Sequence, residues 1–297
     1  MNDNFDDLFE NGKYKDNENK PFDKESWAEK KQQERTEAYA LLDQATEEIA
    51  NDPNKFKDYL DTQSRFDRYS PNNAILIAFQ HPGATRVADF MSWKDNNAFI
   101  NKGEKAIVML EPGSEYTRED GSTGVNVNVK KVFDISQTSE AKTESKRKMP
   151  DARSAIRALI ASSPCEIALV EQLTVSNAKY SPDKNTIFVV RGLEANELFR
   201  SLAFEICIAK CAEKGMERQD SMFPSYCSAY MLCSRNGFET QSFNFEKAPN
   251  QFTDKDLREI RASLGSIRDM ANEVTQDMSR QFETIEKNKR SRDNGAR

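Results

Sequence analysis

Arg65 and Arg68 lie three residues apart, a spacing that sets two guanidinium groups on one helical face, within reach of successive phosphates. Tyr69, Phe90 and Trp93 follow and offer flat rings of the kind that stack on unpaired bases. Asn72 and Asn73 at a helix start, Arg86, Lys94 and the turn containing Lys102, Gly103 and Lys105 add amide, guanidinium and ammonium donors. The run 65–105 therefore reads as a surface for a polyanion. The same residue types have a structural use, with Phe90 and Trp93 in a core, Arg65 and Arg68 paired with Asp61 and Asp67, and Lys102 merely solvated. Residue types alone leave both uses open.

Chemistry of other kinds is poorly supplied. The chain has one histidine, His81, so a two-histidine zinc site cannot be assembled within it, and a nucleophile in the C-terminal half has no local histidine base. Cys165, Cys207, Cys211, Cys227 and Cys233 are an odd set and fit reduced thiols. Cys207 and Cys211 stand one helical turn apart, but Cys227 and Cys233 do not share a face, so core thiols are expected in place of a four-thiolate site. The Gly103 turn lacks the first glycine and the hydroxyl residue of a phosphate-binding P-loop.

The elements that must position these residues follow from patterning. At 297 residues the chain has length for two modest domains, a core serving on the order of 100–200 residues. A charged fraction of 31% against 37% apolar predicts long exposed helices. The net charge of -6 excludes a protein that coats nucleic acid by bulk electrostatics, but the acid is concentrated in the first 54 residues, leaving room for a local basic face. No apolar run of membrane-spanning length and no signal peptide is present, which predicts a cytoplasmic address and no membrane partner.

The expected organisation is an acidic disordered arm (1–23), a binding domain (24–138), a linker (139–151), a second domain (152–250) and a long amphipathic C-terminal helix (251–297). Helices are predicted over 24–50, 54–69, 71–80 and 85–96, with Ser70 and Pro71 as cap and first residue of the third. Strands follow over 106–110 and 125–135. Beyond the linker come a helix, a strand, a hairpin over 178–190, helices over 194–213 and 224–235, and a last helix capped by Thr253 with Asp256. The fold class is α+β: N-terminal helices with a small antiparallel sheet, then a mainly helical domain with a small hairpin.

The run YSPNNAILIAFQHPGATRVADFMSWK, the turn NKGEKAIVMLEP and the closing VFDISQT resemble, in that order, the N-terminal domain of ArdC-type antirestriction proteins of plasmids and conjugative elements. The resemblance covers about residues 55–138 and implies single-stranded DNA binding. AKYSPDKNTIFVV and SAYMLCSRNGFET resemble the family's second, zinc metallopeptidase-like domain. There the resemblance implies an HExxH helix and a distal carboxylate ligand, and this chain carries Phe204, Glu205, Ile206, Cys207 and Ile208, with the distal position at or near Tyr226. Both zinc histidines are replaced and only Glu205, at the general-base position, remains. The resemblance thus implies a non-enzymatic, single-stranded-DNA-binding antirestriction protein of a mobile element, with no metal and no cofactor. Two alternatives stand beside it: a protein-interaction module whose acidic arm or C-terminal stripe engages a restriction or conjugative-transfer protein, and a residual hydrolase working through Glu205 and an unconventional metal.

Overall fold

The computed structural model describes residues 23–118, 120–140 and 149–295; the expected arm and most of the expected linker lie outside them. The fold is α+β. Helix α1 (Lys24–Asn51) starts at Asp23, whose carboxylate accepts the amides of Glu25 and Ser26. Asp52 ends α1 and caps α2 (Pro53–Arg65), which stops four residues earlier than its apolar pattern suggests. Ser70 caps α3 (Pro71–Gln80) as expected, and residues 73–78 of this helix are all buried.

The segment 85–96 is not one helix. The buried Asp134 carboxylate accepts the amides of Thr85 (2.7 Å) and Arg86 (2.9 Å), pulling the chain into the extended strand β1 (Val87–Ala88). Asp89 then caps the short helix α4 (Phe90–Asp95) by accepting the Ser92 amide at 2.8 Å. A propensity reading sees only the apolar spacing and misses a carboxylate 49 residues away that competes for the backbone.

Strands β2 (Ile107–Thr117) and β3 (Thr123–Asp134) form a long hairpin, and β1 pairs with the end of β3, giving the antiparallel order β1-β3-β2. The register shifts between Pro112 and Glu115, where proline has no ladder N–H to give. The outer edge of β2 is closed by side chains of α3. The Asn73 amide donates to the Leu110 carbonyl (2.8 Å) and accepts the Leu110 amide (2.8 Å), and Gln80 makes the same exchange with Val108 (3.0 and 2.9 Å). Two amides thus act as a surrogate strand along an edge that would otherwise invite pairing.

In the second half, α5 (Ala152–Ala161) leads to a mixed sheet of order β4-β6-β5, formed by β4 (Glu166–Val170), β5 (Ala178–Ser181) and β6 (Thr186–Val190). Helices α6 (Ala195–Glu213), α7 (Arg218–Asn236) and α8 (Leu257–Gly295) complete the chain. Helix α7 begins six residues before Pro224, which it tolerates inside, and α8 begins after Asp256. The capping box of α8 is Asp256 with Glu259, each side chain accepting the other residue's amide at 2.7 and 2.8 Å, three residues beyond the expected one.

One apolar core joins the two halves. Phe56 of α2 packs on Phe223, Phe245 and Phe252 with ring centroids 5.5–5.8 Å apart. The α8 stripe of Ile260, Leu264, Ile267, Met270, Val274 and Met278 is buried in that same core, so up to Met278 it serves its own chain and is closed to a partner. Smaller clusters lie under the hairpin (Phe66, Ile77, Ile107, Met109, Val132) and under α4 (Trp93, Ala98, Ile135). No helix among the described residues is long and apolar enough to cross a membrane.

Trp93 is 2% exposed and donates its indole N–H to the Phe133 carbonyl at 2.8 Å. Trp93→Ala is therefore expected to cost about 3–5 kcal/mol of unfolding free energy, read from a denaturant titration; a loss under about 1 kcal/mol would contradict this packing role.

Candidate nucleic-acid interface

The structure divides the residues of the 65–105 run into those that hold the fold and those that face outward. Arg65 is half-buried and spent on its own chain: Nε donates to the Ala84 carbonyl (2.7 Å), and Nη2 donates to Thr62 and to the Pro82 carbonyl. Trp93 is core, and the Arg86 guanidinium lies over its indole, 4.7 Å from the ring centroid. Asn73 is the edge clasp described above. Arg65, Asn73 and Trp93 leave the set available to a strand of DNA because their polar groups or faces are occupied; Arg86 is exposed with one guanidinium face on the ring, and it does not line the main cleft.

Lys94, Lys102 and Lys105 are exposed, but they do not line the main cleft. Lys105 and Gly103 border a separate hollow of about 420 Å³ with His81 and Gln137, and Gln137 donates to Glu104 (3.0 Å) and to the Lys105 carbonyl (2.8 Å).

Arg68, Tyr69 and Asn72 come together on one wall of a cleft of about 830 Å³ whose floor is apolar and formed by the β2–β3 hairpin, through Met109, Val125, Val127 and Val132. The α2–α3 loop that carries Arg68 and Tyr69 is fixed by three side chains, one from α2 and two from α8. Gln63 donates to the carbonyls of Phe66 (2.8 Å) and Tyr69 (3.3 Å), Asn272 to that of Asp67 (2.9 Å), and Arg268 to that of Tyr69 (3.3 Å). Arg68 projects from this clamped loop, exposed and with no hydrogen bond or ion pair among the described residues. Tyr69 stacks on Phe66 with centroids 5.5 Å apart, which leaves its other face to the cleft. Burial raises the Tyr69 hydroxyl pKa, and the nearby Lys130 ammonium opposes that rise.

Nine lining residues lie outside the run, among them the polar-tipped Tyr39, Glu111 and Lys130. Tyr39 comes from α1 and is 42% exposed. Lys130 of β3 bridges Glu111 (3.1 Å) and Asp89 (3.4 Å). A large ring beside the buried Ala38, off the stripe of α1, was the visible signal for Tyr39; Lys130 and Glu111 were recoverable only from the hairpin register, which sets Glu111 opposite Asn128.

In the second half, Glu205 is 2% exposed and fully engaged. Its Oε2 accepts the Tyr180 amide (2.7 Å) and Arg218 Nη1 (2.9 Å), and its Oε1 accepts Arg218 Nη2 (2.6 Å), a bidentate pair. Ile208 is buried, and Phe204 meets Tyr226 edge-on at 6.5 Å. Tyr226 continues into Phe243 (4.9 Å) and Phe245 (5.6 Å) and accepts the Asn244 amide at 2.8 Å. Phe204, Ile208 and Tyr226 thus supply packing where the metallopeptidase pattern has ligands. Cys207, Cys211, Cys227 and Cys233 are buried; burial raises all four thiols, that of Cys233 to about 12, so they are apolar filling at neutral pH.

The Arg218 side chain is 35% exposed and Glu205 only 2%, which makes their pair asymmetric. Arg218→Met strands a buried carboxylate and is expected to cost about 3–5 kcal/mol; Glu205→Gln leaves a guanidinium that water reaches and should cost less. Chemical denaturation of both variants checks the order, and a reversed order would refute the burial argument.

Three comparisons place this geometry among known proteins. Residues 24–155 match the model of the N-terminal domain of anti-restriction factor ArdC. An uncharacterized Bacillus anthracis protein, pXO2-81, is 33% identical over 85 residues, 28% of this chain; the matched part is 14% of that protein's length. The crystal structures of the antirestriction ArdC protein from plasmid R388 share the fold at 15% identity. The Mn(II)-bound form has a TM-score of 0.57 over 80% of this chain and 97% of that one, and the metal-free form 0.51 over 71% and 86%. The chain thus carries the fold of the antirestriction ArdC protein, and its residues 24–155 match the N-terminal domain of that family.

Proposed function

We propose that this protein is a non-enzymatic, single-stranded-DNA-binding antirestriction factor of a mobile element, and that the strand lies in the cleft between the α2–α3 loop and the β2–β3 hairpin. The observation that carries this reading is the pairing of an unengaged Arg68 with the ring of Tyr69 at the rim of an apolar floor, with Tyr39 on the facing helix. A guanidinium supplies the sequence-independent phosphate contact, and aromatic faces supply stacking to any unpaired base. Paired bases hide those faces, which favours a single strand over a duplex. Asn72, at the start of α3, adds an amide to the same wall. Lys94, Lys102 and Lys105 lie off the cleft and serve at most as a diffuse field for a longer strand.

The absence of enzymatic activity is part of the proposal. It is supported by the replacement of both zinc histidines by Phe204 and Ile208, and by the capture of Glu205 by Arg218 and the Tyr180 amide. A general base needs a free lone pair toward water, and this carboxylate has given its oxygens to three N–H donors. Metal analysis of untagged protein, with a peptide-hydrolysis assay, is expected to find neither bound metal nor turnover; stoichiometric metal with turnover lost in Glu205→Gln would overturn this part.

Gel-shift or anisotropy titrations of the full chain with single-stranded oligonucleotides are expected to show binding that weakens as salt rises. Arg68→Glu should weaken it by about tenfold, in line with loss of a charged contact of about 1.4 kcal/mol or more, and Tyr69→Ala by a comparable factor from lost stacking. Lys94→Glu should matter little. Absence of binding at low salt, or indifference to Arg68→Glu, would defeat the reading.

A further inference from the structure

The cleft has two cationic residues, and they differ in state. Arg68 is unengaged among the described residues, whereas Lys130 is held by Glu111 Oε1 at 3.1 Å and Asp89 Oδ2 at 3.4 Å. The two carboxylates are not equivalent. Asp89 Oδ1 caps α4 through the Ser92 amide at 2.8 Å, so this residue is tied to the fold whatever Lys130 does. Among the described residues the Glu111 side chain has no partner but Lys130 and is half exposed, on the strand that forms the cleft floor. An ammonium between two carboxylates carries a local charge of minus one, so an incoming phosphate meets repulsion at the very cation that the floor offers it. Tyr69, whose hydroxyl lies in the field of the Lys130 ammonium, puts the proposed stacking position beside this cluster.

We propose that Glu111 is an internal competitor of the nucleic-acid backbone for Lys130: it occupies the ammonium in the free protein, and a phosphate of the bound strand exchanges with it. This inference rests on the reading of the cleft as a single-strand site and adds a residue that sets its affinity. The exchange breaks one half-exposed ion pair and forms one ammonium–phosphate contact, while Asp89 stays with α4. Arg68 would anchor the strand first, since it has nothing to give up, and Lys130 would engage second. The net gain from Lys130 is therefore smaller than its charge suggests, and Glu111 is the residue that makes it so.

The test is a salt series of anisotropy titrations with a labelled homothymidine single strand and the full chain. Glu111→Gln is expected to bind about 2- to 5-fold more tightly at low salt, the scale of one exposed ion pair. Its salt slope should match that of the wild type, because Lys130 meets the same phosphate in both complexes. The gain must vanish in the Lys130→Gln background, because Glu111 then has nothing to withhold; such a double-mutant cycle isolates the pair from a general change of charge. Glu111→Ser serves as the second variant, and melting curves check that each is folded. An equal gain with and without Lys130 would make Glu111 a diffuse negative charge and overturn the inference, as would no gain at all while wild-type binding remains sensitive to Arg68→Glu. Failure of wild type and both Glu111 variants to bind at low salt would remove the single-strand reading itself, and this inference with it.

Discussion

What the cleft presents depends on the carbonyl oxygens of Phe66, Asp67 and Tyr69 being held by side chains from elsewhere in the chain. Helix α2 ends at Arg65 and α3 begins at Pro71, so the residues between have no ladder of their own, and backbone acceptors left unpaired near a core are costly. Gln63 serves from the preceding helix, and Arg268 and Asn272 serve from α8, some two hundred residues on. The loop is thus rigid for a reason unrelated to any ligand. A side chain that projects from it, as Arg68 does, is already positioned, which spares part of the ordering entropy a flexible loop would lose on binding.

Much of the fold was legible because its signals are local. The Ser70–Pro71 cap, the end of α3 at His81, the 178–190 hairpin and the apolar period of α8 are each readable within a few residues. What failed is what depends on distant partners. Segment 85–96 carries helical spacing yet splits, since Asp134 takes two of its amides. Trp93 has the composition of a stacking residue and the environment of a core residue, and the difference is made by the Phe133 carbonyl and the Arg86 guanidinium. Within the site, Arg68, Tyr69 and Asn72 were visible from the sequence; Tyr39 showed there only as a ring off the α1 stripe and the Lys130 cluster not at all, because they reach the cleft only through the packing of α1 and the register of the hairpin.

The second half shows how a buried carboxylate is accommodated by its surroundings. A carboxylate at 2% exposure needs a counter-charge, and here the guanidinium of Arg218, first residue of α7, supplies it with two parallel bonds. The neighbouring positions are filled by rings, which stack through Tyr226, Phe243 and Phe245 toward Phe56 of α2. The space that ligands would define is closed by aromatic packing, and the same packing fastens this half to the N-terminal helices.

That fastening has a consequence for how the molecule can be divided. Motif boundaries invite a cut near the family match at residue 155, inside α5. Such a fragment would keep every residue of the cleft wall yet lose Phe223, Phe252 and Leu264, turning Phe56 and Tyr59 out to water. It would also lose Arg268 and Asn272, and the loop bearing Arg68 would come free of its supports. The chain is modular in motif and indivisible in cohesion: the second half is the mould in which the cleft-bearing half is cast.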